Sequence, residues 1–143
     1  MKQLKKQMLI LFGIVAVAIL LISFYKPAGK SDSVKEDFAN SKRYSKTKIR
    51  LAATVVKDGF SQVFKNCRLD TLAYKEELQK YARLKTEKEI APNTEYLLLT
   101  STLYVGPDGY ENLRPNTFYR NWCWYLKRVD KGEWQVYYFG NME

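Results

Sequence analysis

The chain has 143 residues, and the absence of histidine excludes Ser-His and Cys-His nucleophile arrangements and His-containing metal sites within one chain. Its formal charge of +9 would suggest a nucleic-acid partner if it covered one face. Five lysines and no acid fall in residues 1–30, which leaves 19 basic and 15 acidic side chains in residues 31–143, a net +4. That balance is compatible with loose attraction to anionic lipid or cell-wall polymer and is typical of an ordinary solvated surface, so no nucleic-acid partner is expected.

Residues 8–25 form an uncharged apolar run, preceded by Lys2, Lys5 and Lys6 and closed by Lys26-Pro27. As a helix it extends about 27 Å at ~1.5 Å per residue, close to the ~30 Å hydrocarbon core of a bilayer. A secretory h-region is usually about 7 to 15 residues followed by small residues. Here Ile22-Ser23-Phe24-Tyr25-Lys26-Pro27 puts bulky, charged and proline residues where a peptidase would read, and no cysteine opens a lipoprotein route. The run therefore reads as a retained single-pass anchor, with cleavage near Ala28 and secretion as the alternative. The lysine bias favours a cytoplasmic N-terminus and a domain outside the cell membrane. The expected boundaries are 1–28 for the n-region and anchor, 29–44 for a polar tether, and 45–143 for an extracytoplasmic domain.

Ser45 is a candidate N-cap for a helix over 46–65. Ile49, Ala52, Ala53, Val56, Phe60, Val63 and Phe64 recur there at helical spacing, while Gly59 marks either close packing or a bend. Residues 67–74 read as a strand. A polar helix follows over 75–84, with Leu78, Tyr81 and Ala82 on one face and Glu76 and Lys80 paired at i, i+4 on the other. Pro92-Asn93 breaks the chain before a strand over 96–105. Leu97, Leu99, Leu103 and Val105 point one way there, with Ser101 among them, and Tyr96, Thr100, Thr102 and Tyr104 point the other. Gly106-Pro107-Asp108-Gly109 is a turn extended by a polar loop. Strands over 117–129 and 134–139 are joined by Asp130-Lys131-Gly132 as a hairpin turn. The expected class is α+β: a long helix packed on a curved antiparallel sheet.

The stretch Asn66-Cys67-Arg68-Leu69-Asp70-Thr71-Leu72-Ala73-Tyr74, the leucine-rich strand ending in Val105, Asn116-Thr117-Phe118-Tyr119-Arg120-Asn121-Trp122-Cys123-Trp124, and Gly132-Glu133-Trp134-Gln135-Val136 together resemble a known group. It consists of small exported domains of unknown function in Gram-positive bacteria, which sit behind lipoprotein signals or membrane anchors. Their architecture is similar to cystatin-like and nuclear-transport-factor-like rolls. The resemblance spans residues 45–140 and implies a fold and a location; it carries no activity.

Candidate chemistry is sparse. No pair of acids sits at a spacing that asks for general acid and base work, Asp70 reads as a rim residue, and no metal or cofactor is expected. Arg120 alternates with Trp122 and Trp124, so the three could bind a small anion; packing of the arginine stem on those rings is the plainer reading. An extracytoplasmic setting permits a Cys67–Cys123 disulfide, against two separately buried thiols. The tyrosines left for a partner by alternation are Tyr96, Tyr104 and Tyr137, because large rigid aromatics concentrate binding energy. The expected function is a non-catalytic, membrane-tethered binding or assembly module acting on an envelope protein or cell-wall component. The alternative is a small-ligand or enzymatic pocket between helix and sheet.

Overall fold

The computed structural model describes residues 3, 5, 7, 28–87 and 91–142. The apolar run 8–25 lies outside the described residues, and among those described no helix is long and apolar enough to cross a membrane.

Ser45 caps helix α1 (Lys46–Val63) by accepting a hydrogen bond from the Lys48 amide at 3.3 Å, which satisfies one of the donors that a helix start leaves unpaired. Ile49, Ala52, Ala53, Val56 and Phe60 form its buried stripe, each fully shielded from solvent. Val63, expected on that stripe, is exposed, because the helix ends there. Gly59 faces open space, so close packing does not account for it. Asn66 then takes a left-handed conformation (φ 59°) and turns the chain into the sheet, a geometry that asparagine tolerates well.

The sheet has five strands: β1 (Lys35–Phe38), β2 (Cys67–Tyr74), β3 (Thr94–Val105), β4 (Thr117–Val129) and β5 (Gln135–Asn141). Their spatial order follows the chain order. The antiparallel expectation holds for β2 to β5, but β1 runs parallel to β2, so the sheet is mixed. The connection from β1 to β2 passes through α1, as a parallel pair requires a crossover.

The polar segment expected to be a tether is thus largely part of the fold. Residues 35–38 pair with 71–74, and before them the Gly29 amide donates to the Ser61 carbonyl while Lys30 exchanges bonds with Cys67 and Leu69. Gly29 is required at this approach: a Cβ there would stand 2.6 Å from the carbonyl oxygens of both Phe60 and Phe64. Charge and small polar residues hid the strand, because a short edge strand exposes most of its side chains.

Leu97, Leu99, Leu103 and Val105 point toward α1 as expected, joined by Leu69, Leu72, Tyr74, Trp122, Trp124 and Leu126. Ser101 belongs among them because its hydroxyl accepts the Trp124 indole N–H at 2.8 Å and donates to the Trp122 carbonyl. Phe64 packs between Phe60 and the rings of Trp122, Trp124 and Phe139. The space between helix and sheet is therefore filled by side chains.

A smaller second layer forms on the opposite face of the sheet, where Ala82, Leu98, Cys123 and Tyr125 pack with Leu78, Leu84, Tyr96 and Tyr137. The segment supplying it is a 3-10 helix (Glu76–Tyr81) instead of the expected α-helix. In that tighter geometry i and i+3 eclipse, and Glu76 and Lys80 do not pair. Glu76 instead accepts a 2.7 Å bond from the Tyr74 hydroxyl.

Candidate functional site

Beyond the end of β2, one side of β3 has no strand partner, and side chains take over its hydrogen bonding. Gln79, buried beneath the 3-10 helix, donates to the Leu98 carbonyl at 2.9 Å and accepts the Leu98 amide at 3.0 Å. The Tyr44 hydroxyl donates to the Tyr96 carbonyl at 2.7 Å. Tyr137, rising from β5, donates to the Ala82 carbonyl and accepts the Leu84 amide. These bonds fix the segment that follows the 3-10 helix above β4 and β5.

A cleft of about 870 Å³ lies beside that segment. Lys80, Arg83 and Lys85 form one wall with Tyr81 and Leu84, and Tyr125, Tyr138, Asn141 and Met142 line the rest. Among the described residues the three charged groups at the cleft are all cations, and none of them pairs with a carboxylate. Lys80 rests its ammonium over the Tyr81 ring at 4.9 Å, and Arg83 donates to the Glu87 carbonyl. Tyr81 and Tyr138 are both about half exposed. Cations beside aromatic faces can hold an anionic or polar group through charge, hydrogen bonds and ring contact together.

Comparison with protein-family models, curated proteins and solved structures finds no match. The functional reading accordingly rests on the residues themselves.

The tyrosines expected on one outward face are divided. Tyr96 and Tyr137 meet edge to face at 6.0 Å in the layer beneath the 3-10 segment, where the Tyr137 hydroxyl is spent on backbone bonds. Tyr104 lies at the opposite end of β3, between the Arg68 guanidinium, 5.0 Å from its ring centroid, and the Phe118 ring at 4.8 Å. Alternation marked them as solvent-facing, but a sheet face can be covered by a segment whose position no local pattern reveals.

Arg120 does not share a face with Trp122 and Trp124. The register of β4 against β3 slips between Ser101 and Leu103, where two residues of β4, Arg120 and Asn121, face one of β3, Thr102. Asn121 in this bulge has φ 57°. The extra residue leaves Tyr119, Trp122 and Trp124 on the α1 side and Arg120 exposed, as a bulge reverses alternation beyond it. Asp70 is likewise the extra residue of a bulge in β2 and pairs with Arg68.

Cys67 and Cys123 are free thiols. Cys67 belongs to the core beneath α1 and Cys123 to the layer on the other face, so the sheet stands between them and no disulfide forms. Burial pushes the Cys67 thiol up to about 11, which keeps it protonated and unreactive at neutral pH.

The cleft residues were not singled out from sequence. A signal existed: Lys80, Arg83 and Lys85 fall within six residues and alternate with Tyr81 and Leu84. Their convergence with Tyr138 and Met142, more than fifty positions later, is a product of the fold.

Proposed function

We propose that the protein is a membrane-tethered, extracytoplasmic binding module without catalysis of its own, which recognises an acidic envelope protein or cell-wall component through the cleft beside β5. The observation carrying this reading is the cleft itself, whose lining among the described residues has three cations, two half-exposed tyrosines and no carboxylate. The tether rests on the uncharged run 8–25 and its lysine flanks. A ligand pocket between helix and sheet has less support, since Phe60, Phe64 and Trp124 occupy that space.

Two measurements test the proposal. After carbonate washing, full-length protein should remain with membranes and its C-terminal part should be digestible from outside; a soluble form beginning near Gly29 would count against the tether. A photo-crosslinking residue at Tyr81 or Tyr138 in intact cells should yield a discrete adduct that Thr54, on the outer side of α1, does not. The combined Lys80→Ala, Arg83→Ala and Lys85→Ala change should remove that adduct with the thermal melt unshifted, because all three side chains are exposed. Adducts that ignore the three cations would refute the cleft as the recognition surface.

A further inference from the structure

At the end of the sheet where the chain enters the domain, a row of side chains crosses four neighbouring backbones. Lys30 bridges to Arg68, Arg68 stands opposite Tyr104, and Tyr104 stands opposite Phe118. Directly opposed residues share a face. The Cβ position of Gly29 points at Phe60 and Phe64 beneath α1, so this row lies on the face away from the helix. Arg68 lies over the Tyr104 ring, and Tyr104 meets the Phe118 ring at a 48° tilt; Phe118 itself is 52% exposed. Asp70 pairs with Arg68, so among the described residues the unpaired positive charge here comes from Lys30 and from exposed Arg120, two residues along β4 from Phe118. The loop beyond the row adds Asp108 and Glu111 against Arg114.

The run 8–25 ends four residues before Gly29, and four residues reach at most about 14 Å. Gly29 is buried and bonded to Ser61, so no free tether separates the domain from that run. We propose, resting on the tether reading above, that this end of the sheet lies on the anionic outer surface of the membrane, with Phe118 and Tyr104 at headgroup depth and Lys30 and Arg120 on lipid phosphates. Tyrosine prefers that interface, phenylalanine buries its ring at the headgroup–acyl boundary, and cations add attraction where lipids are anionic. The short connection supplies the high local concentration that makes two cations and two rings sufficient. The cleft beside β5 is lined instead by the segment around the 3-10 helix, by Tyr125 and Tyr138, and by Asn141 and Met142 at the end of β5, four residues along β4 from Phe118 by register.

The test uses full-length protein in phosphatidylglycerol/phosphatidylcholine nanodiscs carrying a gadolinium-chelate lipid, with 4-fluorophenylalanine at Phe118 or, as control, at Phe139. The control ring is 42% exposed and packs on Phe64 at the α1 side. The fluorine line of Phe118 should broaden and that of Phe139 should not. The Lys30→Glu/Arg120→Glu variant should lower the docked population by roughly fivefold per cation. Equal broadening at the two rings in protein that co-elutes with the discs would overturn the proposal, as would broadening at Phe118 that survives charge reversal. Protein that fails to co-elute with the discs would overturn the tether reading, and the surface placement with it.

Discussion

Tyr74 shows how one side chain can belong to two layers of the structure. Its ring is buried in the core beneath α1, while its hydroxyl reaches Ser41 at 2.8 Å and Glu76 at 2.7 Å. Burial pushes its phenol up to about 12 from an ordinary 10.0, and the bond from Tyr74 holds the Glu76 carboxyl below its usual range. A phenol whose folded pKa is raised contributes full stability below pH 10, and that contribution is lost as pH rises from 10 to 12. Cys67 acts in the same sense from 9 to 11. With no histidine, no side chain of ordinary pKa titrates between the carboxylates and these groups. Urea melts should therefore give a flat stability from about pH 6 to 9 and a steep fall above it. Tyr74→Phe should cost about 1 kcal/mol at neutral pH, and because the variant has no phenol to ionise, the difference should shrink above pH 10 and change sign before pH 12. A constant difference across that range would show that the phenol's ionisation is not coupled to folding.

Among the elements, the 3-10 helix depends most on tertiary bonds. Six residues with one buried side chain have little helical stability of their own, and Gln79 holds them by pairing with the Leu98 backbone much as a further strand would. Gln79→Ala leaves a buried N–H and C=O unpaired and should destabilise the protein by about 2 to 6 kcal/mol, since each unsatisfied group costs about 1–3 kcal/mol. Hydrogen exchange should show the Leu98 amide losing protection while the amides of α1 keep theirs. Unchanged protection at Leu98 would mean that water replaces the glutamine at no cost. The two sheet edges also differ: β1 carries Lys35, Glu36 and Asp37, whereas β5 contains no charged residue and relies on the bulge at Tyr137 to interrupt its regular edge.

For the whole molecule, the decisive feature is where the folded unit starts. Residues 28–38 cover the free edge of β2 through two bonds at Lys30 and the β1 ladder, and Lys57 on α1 reaches Glu36 at 2.6 Å. A soluble fragment of residues 28–143 should unfold cooperatively as a monomer. One of residues 45–143 should melt at a clearly lower temperature and associate, because it exposes the edge of a central strand. Thermal melts and sedimentation of the pair decide this; equal melting temperatures would make 28–38 an appendage.

By itself the sequence determined the helix stripe, the positions of β2 to β5 within a few residues and the alternating core face of β3, because these follow from local periodicity. The apolar run and the absence of histidine were equally plain, being matters of composition. Tertiary structure alone decided the rest. Bulges at Asp70 and Arg120-Asn121 each shift the alternation by one position, so extending the β4 pattern across Arg120 assigned that residue to the wrong face. The strand nature of 35–38 comes from β2 lending it partners, and the burial of Tyr96 and Tyr137 comes from a segment folded over them. The cleft and the row from Lys30 to Phe118 each join residues far apart in the chain, so their geometry exists only once the sheet has closed its register.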